Sequence, residues 1–290
     1  MKKLAKTPKW AVIAIMSVAA WLTAWLCGMG LDSLISHMYG VWGVTARNIS
    51  RAPQWLIILV GNYQLIRETA QALALLVPAY LLAKAFGIPK IHWGRKSALG
   101  LILGVLTGIA TVGALLASDS MRLNPSYMNF DVSIAFSILM YAANALSLSY
   151  LFAGIMPEVL SGKRFNCDIW LPAIICAILT APEYAPAAVI NVAIIAAASV
   201  FMVKALSGTG AACLFRFGLY WVLFVVMGCP GGAGGVFECY PAHLDCLSGE
   251  YSGPVGGFML TVALAAVTVY LIRKYHSGGN NGRLISDKRK

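Results

Sequence analysis

The sequence predicts an all-α fold: a polytopic membrane bundle of about eight transmembrane helices, multi-pass in the cell membrane, with both termini cytoplasmic. Three observations carry this expectation. Only 11% of the 290 residues are charged and 59% are hydrophobic, where a soluble domain carries about 25% charged residues. Apolar runs long enough to cross roughly 30 Å of hydrocarbon recur along the chain. The basic residues sit in short clusters between those runs, as cytoplasmic loops of membrane proteins do. That clustering excludes nucleic acid as the reason for the net charge of +11. Membrane lipid is the partner it implies.

The first run, from about Trp10 to Gly30, follows the basic segment MKKLAKTPK. It is long, and LCGMGLDS is a poor cleavage site, so it reads as a retained helix rather than a signal peptide. The stretch 54–87 is split by Arg67 and Glu68. Its spanning part is expected at about 69–87, behind an interfacial or re-entrant lead-in at 54–66. Further spans are expected at about 97–117, 132–155, 169–182, 184–204, 209–228 and 254–273. The region 169–204 is interrupted by APEYAP, and proline favours a helix boundary. The tail HSGGNNGRLISDKRK is polar, glycine-rich and basic, which predicts a disordered end near anionic headgroups. The chain then divides into an N-terminal helix and outer loop (1–62), a membrane bundle (63–275) and a basic tail (276–290).

Charge asymmetry supports this topology. The segments assigned to the cytoplasm hold Lys2, Lys3, Lys6, Lys9, Lys90, Arg95, Lys96, Lys163, Arg164, Lys204, Lys274, Arg283, Lys288, Arg289 and Lys290. The opposite segments hold Arg47, Arg51 and Arg122. The bias falls on the expected side at every loop.

Of seven cysteines, Cys27, Cys176 and Cys213 fall in apolar runs and Cys167 on the cytoplasmic side. Cys229, Cys239 and Cys246 lie in or beside the loop CPGGAGGVFECYPAHLDCLSGEYSGP. An oxidising outer face permits a disulfide among these three, with the pairing undetermined and one thiol left over. Free thiols are the alternative. A metal site with His243 is a third, although the spacing C-x9-C-x3-H-x2-C matches no standard zinc pattern.

Ionisable residues inside a membrane are costly and therefore informative. Arg216, in CLFRFGLYW, is the clearest, and Glu183 and Glu158 are its possible carboxylate partners. Its plainer role is packing and snorkelling. Arg67, Glu68, Glu158 and Glu183 lie near expected span ends, where interfacial anchoring explains them. Catalytic signatures are missing: there is no His-Glu-x-x-His and no Gly-x-Ser-x-Gly. His37, His92, His243 and His276 all fall in loops or the tail. GTGAAC at 208–213 lacks the lysine of a phosphate loop and reads as a helix start. Small residues in LGLILGVLTGIATVG and AAVINVAIIAAASV allow close helix approach, expected within the bundle rather than between copies.

The stretch LSLSYLFAGIM at 146–156 resembles the signature helix of the CPBP family, the CAAX-protease and bacteriocin-processing (Abi) intramembrane peptidases. The family pattern is Glu-Glu, two apolar residues, Phe, Arg, Gly. Phe152 and Gly154 match it; Leu148 and Ser149 stand where the glutamates would, and Ala153 where the arginine would. The second motif, Phe-x-x-x-His, falls on Thr180 and Tyr184. The third, a His four residues before an Asn, falls on Tyr220 and Phe224. RETAQALALLVPAYLLAKAFGIPKIHWGRKSALGLILGVLTG resembles the family's leading helix pair, and SGPVGGFMLTVALAAVTVYLIRK its closing loop and last helix. The resemblance covers about 65–275.

It implies a bundle in which glutamates and histidines activate water or bind a metal. Leu148 and Ala153 provide no titratable group. Ser149 has no base beside it in sequence, and Tyr184 and Tyr220 do not replace histidine as metal ligands, so no cofactor is predicted. The expectation is a non-catalytic relative that binds a peptide, a lipidated segment or a partner helix. One alternative is an active endopeptidase in which Glu158 or Glu183 took over. Another, motivated by glycine-rich breaks and Arg216, is a subunit of a membrane transport or processing complex.

Overall fold

The structure, a computed structural model, describes residues 9–42, 53–88, 92–94, 96–160, 167–180, 186–206, 208–230, 232, 235–242 and 246–287. It is all-α but for one short strand pair. Helix α1 (Lys9–Trp42) runs twelve residues past the expected end at Gly30. Leaving hydrocarbon does not end a helix, and no proline occurs between Pro8 and Pro53 to stop it. A short α2 (Gln54–Gly61) forms the expected lead-in. Helices α3 (Tyr63–Ala74) and α4 (Leu76–Phe86) follow almost without interruption. Pro78 has no N–H to give to the Ala74 carbonyl, which accounts for the irregularity at Leu75. Gly87, with φ of 66°, closes α4 in the left-handed conformation.

Helix α5 (Ser97–Ala117) has the predicted bounds. Helix α6 (Val132–Leu148) opens on Asp131, whose carboxylate accepts from the Val132 N–H at 2.6 Å. It continues through a wide π-helical segment, Ser149–Ile155, into α7 (Met156–Leu160). Helix α8 (Cys167–Thr180) precedes α9 (Pro186–Leu206), which starts on proline, a residue suited to a first turn. Lys204 in the last turn of α9 pairs with Asp168 in the first turn of α8. Helix α10 (Thr209–Tyr220) passes into a second π-helical segment, Trp221–Val226. A 3-10 turn (Glu250–Gly256) leads to α11 (Phe258–Asp287). The segment 276–287, expected to be disordered, extends α11, since adding a residue to a formed helix costs far less than starting one.

Strands β1 (Met121–Leu123) and β2 (Cys239–Pro241) pair antiparallel, Met121 opposite Pro241 and Leu123 opposite Cys239. No sequence signal pointed to this pair, because its partners lie far apart in the chain.

Seven helices among the described residues are long and apolar enough to cross a membrane: Ala11–Val41, Tyr63–Phe86, Ser97–Ala117, Val132–Leu160, Ala188–Leu206, Thr209–Val226 and Phe258–Tyr275. Of the eight expected, the remaining one is α8, whose 14 described residues reach roughly 21 Å, less than the hydrocarbon thickness. The span at Tyr63–Phe86 also starts earlier than expected, so Arg67 and Glu68 lie inside it. Large apolar side chains cover the outside of the bundle, among them Trp25 and Leu26 on α1, Ile102, Leu106 and Ile109 on α5, and Val262 and Val269 on α11. An outer surface of this kind has lipid as its solvent. The protein is embedded in a membrane.

The interior centres on α9, which packs on α8, α10 and α11. Its Val192, Ile195, Ala196, Ala197, Ala198, Val200 and Met202 are buried. Helices α5 and α10 lie backbone to backbone. A Cβ on Gly100 would stand 2.0 Å from the Ala211 carbonyl oxygen, and one on Gly104 2.2 Å from that of Phe215. Only glycine permits that approach. The glycine spacing of four residues puts this seam on one face of α5, with Ile102, Leu106 and Ile109 turned to lipid.

Candidate functional site

A cavity of about 200 Å³ opens between α1, α3, α6 with its π-helical continuation, and the end of α8. Each helix contributes one stripe. From α1 come Trp21 and Trp25, one turn apart, whose rings stack with centroids 6.3 Å apart and planes 11° from parallel. From α3 come Glu68 and Gln71, with Leu75 just past its end, from α6 and its π-helical continuation Asn144, Leu148 and Phe152, and from α8 Leu179 and Thr180. Spacings of three and four residues align each set but the adjacent pair on α8 along one helix face.

The wall at α3 is held by polar contacts with α1. Arg67 pairs with Asp32 at 3.2 Å, and the Tyr63 hydroxyl donates to the same carboxylate. Gly28 makes the close approach possible: a Cβ there would stand 2.3 Å from Gln71 Nε2. Glu68 is half-buried and accepts from Gln64 Nε2 at 2.6 Å. The Thr180 hydroxyl donates to the Cys176 carbonyl at 2.9 Å, which leaves its lone pairs to accept.

The motif-equivalent positions divide between this cavity and the packed interior. Leu148, Phe152 and Thr180 line the cavity. Ser149 is buried, and its Oγ has no hydrogen-bond partner among the described residues. Ala153 is buried as well. Gly154 faces the start of α10, where a Cβ would come within 2.7 Å of Thr209 Cγ2, so its retention has a packing cause. Tyr220 is buried in an aromatic cluster, with ring centroids 5.9 Å from both Tyr141 and Phe224, and does not line the cavity. Tyr184, Glu183 and His243 lie outside the described residues.

Two expectations about charge are corrected. Glu158 is exposed on α7 and does not reach the cavity; the carboxylate that does is Glu68, on a different helix. Arg216 does not snorkel, being fully buried. Its Nε donates to Ser199 Oγ at 3.1 Å and its Nη2 to Cys176 Sγ at 3.8 Å, while Nη1 has no partner among the described residues. It lies eight residues into an 18-residue span, too deep for its head to reach either interface.

Cys229 and Cys239 are buried together, and Cys246 is exposed. All three are thiols in this structure. The Cys229 thiol donates to Cys239, which holds its proton above the ordinary thiol range, and burial adds to the effect. Accepting that hydrogen bond draws Cys239 down.

The residues present do not fit the metal that the family resemblance implies. Leu148, Ser149, Ala153 and Tyr220 offer no carboxylate or imidazole at the motif positions. Among the described residues no three His, Cys, Asp or Glu side chains gather into a possible ligand set.

Sequence reasoning missed Glu68, Gln71, Asn144, Trp21 and Trp25 as one site. The spacings Glu68-x2-Gln71 and Trp21-x3-Trp25 were visible signals, each marking a single helix face. Nothing in the sequence said that those faces meet. No family model, characterised protein or solved structure matches this chain.

Proposed function

We propose that this protein is a non-catalytic relative of the CPBP intramembrane peptidases that binds a membrane-associated peptide segment at the cavity between α1, α3 and the signature helix. The observation that carries this reading is the lining itself. Leu148 and Phe152, at motif positions of the resembled family, face the same cavity as Glu68, Gln71, Asn144 and Thr180. An intramembrane pocket with a few convergent polar groups is a binding site by default. Its size decides what enters. About 200 Å³ is below the 300–1,000 Å³ of pockets that enclose small ligands, so it accepts one side chain rather than a whole helix.

Hydrolysis of a peptide bond needs a group that activates water and one that stabilises the developing oxyanion or protonates the leaving amine. Glu68 alone among the lining residues titrates, and Leu148 and Ala153 supply nothing. Binding without cleavage follows. The reading keeps both termini in the cytoplasm, on the distribution of Lys and Arg among the loops.

The test is a fluorescent apolar peptide added to the full-length protein in lipid nanodiscs. Saturable binding, no cleavage product, and loss of binding on filling the cavity with Leu148→Trp are expected. Absence of binding overturns the proposal. Cleavage abolished by Glu68→Gln replaces it with the endopeptidase alternative.

A further inference from the structure

The cavity walls specify a cation. We infer that the group received there is the ammonium of a lysine side chain on the bound segment. This inference rests on the peptide-binding reading and names its ligand chemistry.

Among the described residues, Glu68 is the single ionisable side chain on the wall. A carboxylate within a membrane-spanning helix is expensive to keep without a counter-charge. The adjacent Arg67 is engaged by Asp32, and among the described residues no ion pair holds Glu68. Among the described residues, then, the Glu68 carboxyl has no cationic partner, and a cation is the complement it lacks.

The other polar groups match an ammonium and little else. A lysine head has three N–H donors and no acceptor. Glu68, the amide oxygens of Gln71 and Asn144, and the Thr180 hydroxyl oxygen are acceptors among the residues that line the cavity. Trp21 and Trp25 line the same cavity, and aromatic rings attract a cation. Leu75, Leu148 and Phe152 sheath an alkyl stem. A calcium ion takes six to eight oxygen ligands, and one carboxylate, two amides and one hydroxyl fall short of that.

Aminophospholipid headgroups also end in ammonium, but a phosphate lies a few bonds away. Among the described residues no cation lines the cavity to receive it, and it would stand near Glu68. Lysine has four methylenes there instead, which suits the apolar part of the wall. The volume agrees, being that of a single long side chain rather than a lipid.

The experiment uses the full-length protein in nanodiscs of phosphatidylcholine and phosphatidylglycerol. Two fluorescein-labelled apolar peptides are compared by anisotropy, identical except that one carries lysine and the other norleucine, which keeps the four-carbon stem and lacks only the terminal ammonium. The lysine peptide is expected to bind about tenfold more tightly. Glu68→Gln, near-isosteric, is expected to abolish that preference while circular dichroism and elution volume stay unchanged; Glu68→Asp keeps part of it. Phosphatidylethanolamine added to the disc leaves the affinity unaltered. Equal affinity of the two peptides for wild-type protein overturns the inference and leaves peptide binding standing. A preference that survives Glu68→Gln overturns it too. Competition by phosphatidylethanolamine reassigns the site to a headgroup. Failure of both peptides to bind overturns the peptide-binding reading as well.

Discussion

The α5–α10 seam and the α1–α3 wall of the cavity are both contacts between membrane helices, and both depend on glycine, yet they do opposite things. At the seam, Gly100 and Gly104 bring backbone against backbone, and a side chain would collide with a carbonyl oxygen that cannot move. At the wall, Gly28 makes room for the end of one flexible polar side chain, Gln71. The seam closes two helices completely. The wall holds them close while leaving a polar gap one turn away. Small residues in a membrane helix therefore do not specify rigidity or a site. The partner that meets the missing Cβ decides between them.

The largest expected effect breaks the seam. Gly104→Leu forces α5 off α10 and costs upwards of about 3 kcal/mol; thermal unfolding followed by tryptophan fluorescence reads it. Gly113→Leu on the same helix, where a Cβ meets nothing within 4 Å, leaves the midpoint unchanged. If both variants unfold alike, the seam is not what distinguishes the two glycines.

Next comes the buried guanidinium beside α9. Ser199→Ala removes the Nε acceptor and leaves a buried charge with one partner fewer, which costs about 1–3 kcal/mol. Arg216→Met removes the charge together with its need for partners, and is expected to destabilise less than Ser199→Ala. The reverse order in a thermal melt would assign Arg216 a structural worth that its contacts do not explain.

A smaller effect separates stability from binding at the wall. Gly28→Ala displaces Gln71, whose side chain can swing, so the loss of stability stays within about 1 kcal/mol. Binding of the lysine peptide weakens by a few-fold, because one acceptor has left the cavity. Equal losses in both measurements would make the wall a second seam. The smallest effect concerns the thiols: a maleimide added to folded protein in detergent reaches exposed Cys246 before Cys229 and Cys239, which are buried against one another.

Much of the fold was legible because hydropathy is a local property. Helix α5 needed no correction, and α9 begins within two residues of its expected start. The corrections arise where length or neighbours matter. Helix α1 overruns because helical hydrogen bonding continues where apolar character stops. The described part of α8, 14 residues, is shorter than a span. The site was less legible. Leu148, Phe152 and Gly154 were singled out by resemblance, and two of them do face a cavity. Glu68 was dismissed as an interfacial anchor, since its place within the span depends on where α3 begins. Ser149 and Tyr220 were candidates on motif position alone and turned out to be packed inside.

The sequence by itself determined that this chain lives in lipid. Too few charges and too many long apolar runs admit no other solvent, and that follows from transfer free energies summed residue by residue. It also determined that the stretch 146–156 carries no glutamate, arginine or histidine. Only the tertiary structure decided that Glu68 shares a cavity with Trp21, Trp25 and Asn144, that Arg216 is enclosed rather than snorkelling, and that Cys229 lies against Cys239. Each of those is a meeting of distant segments, and which faces meet is set by packing between helices whose apolar surfaces are alike.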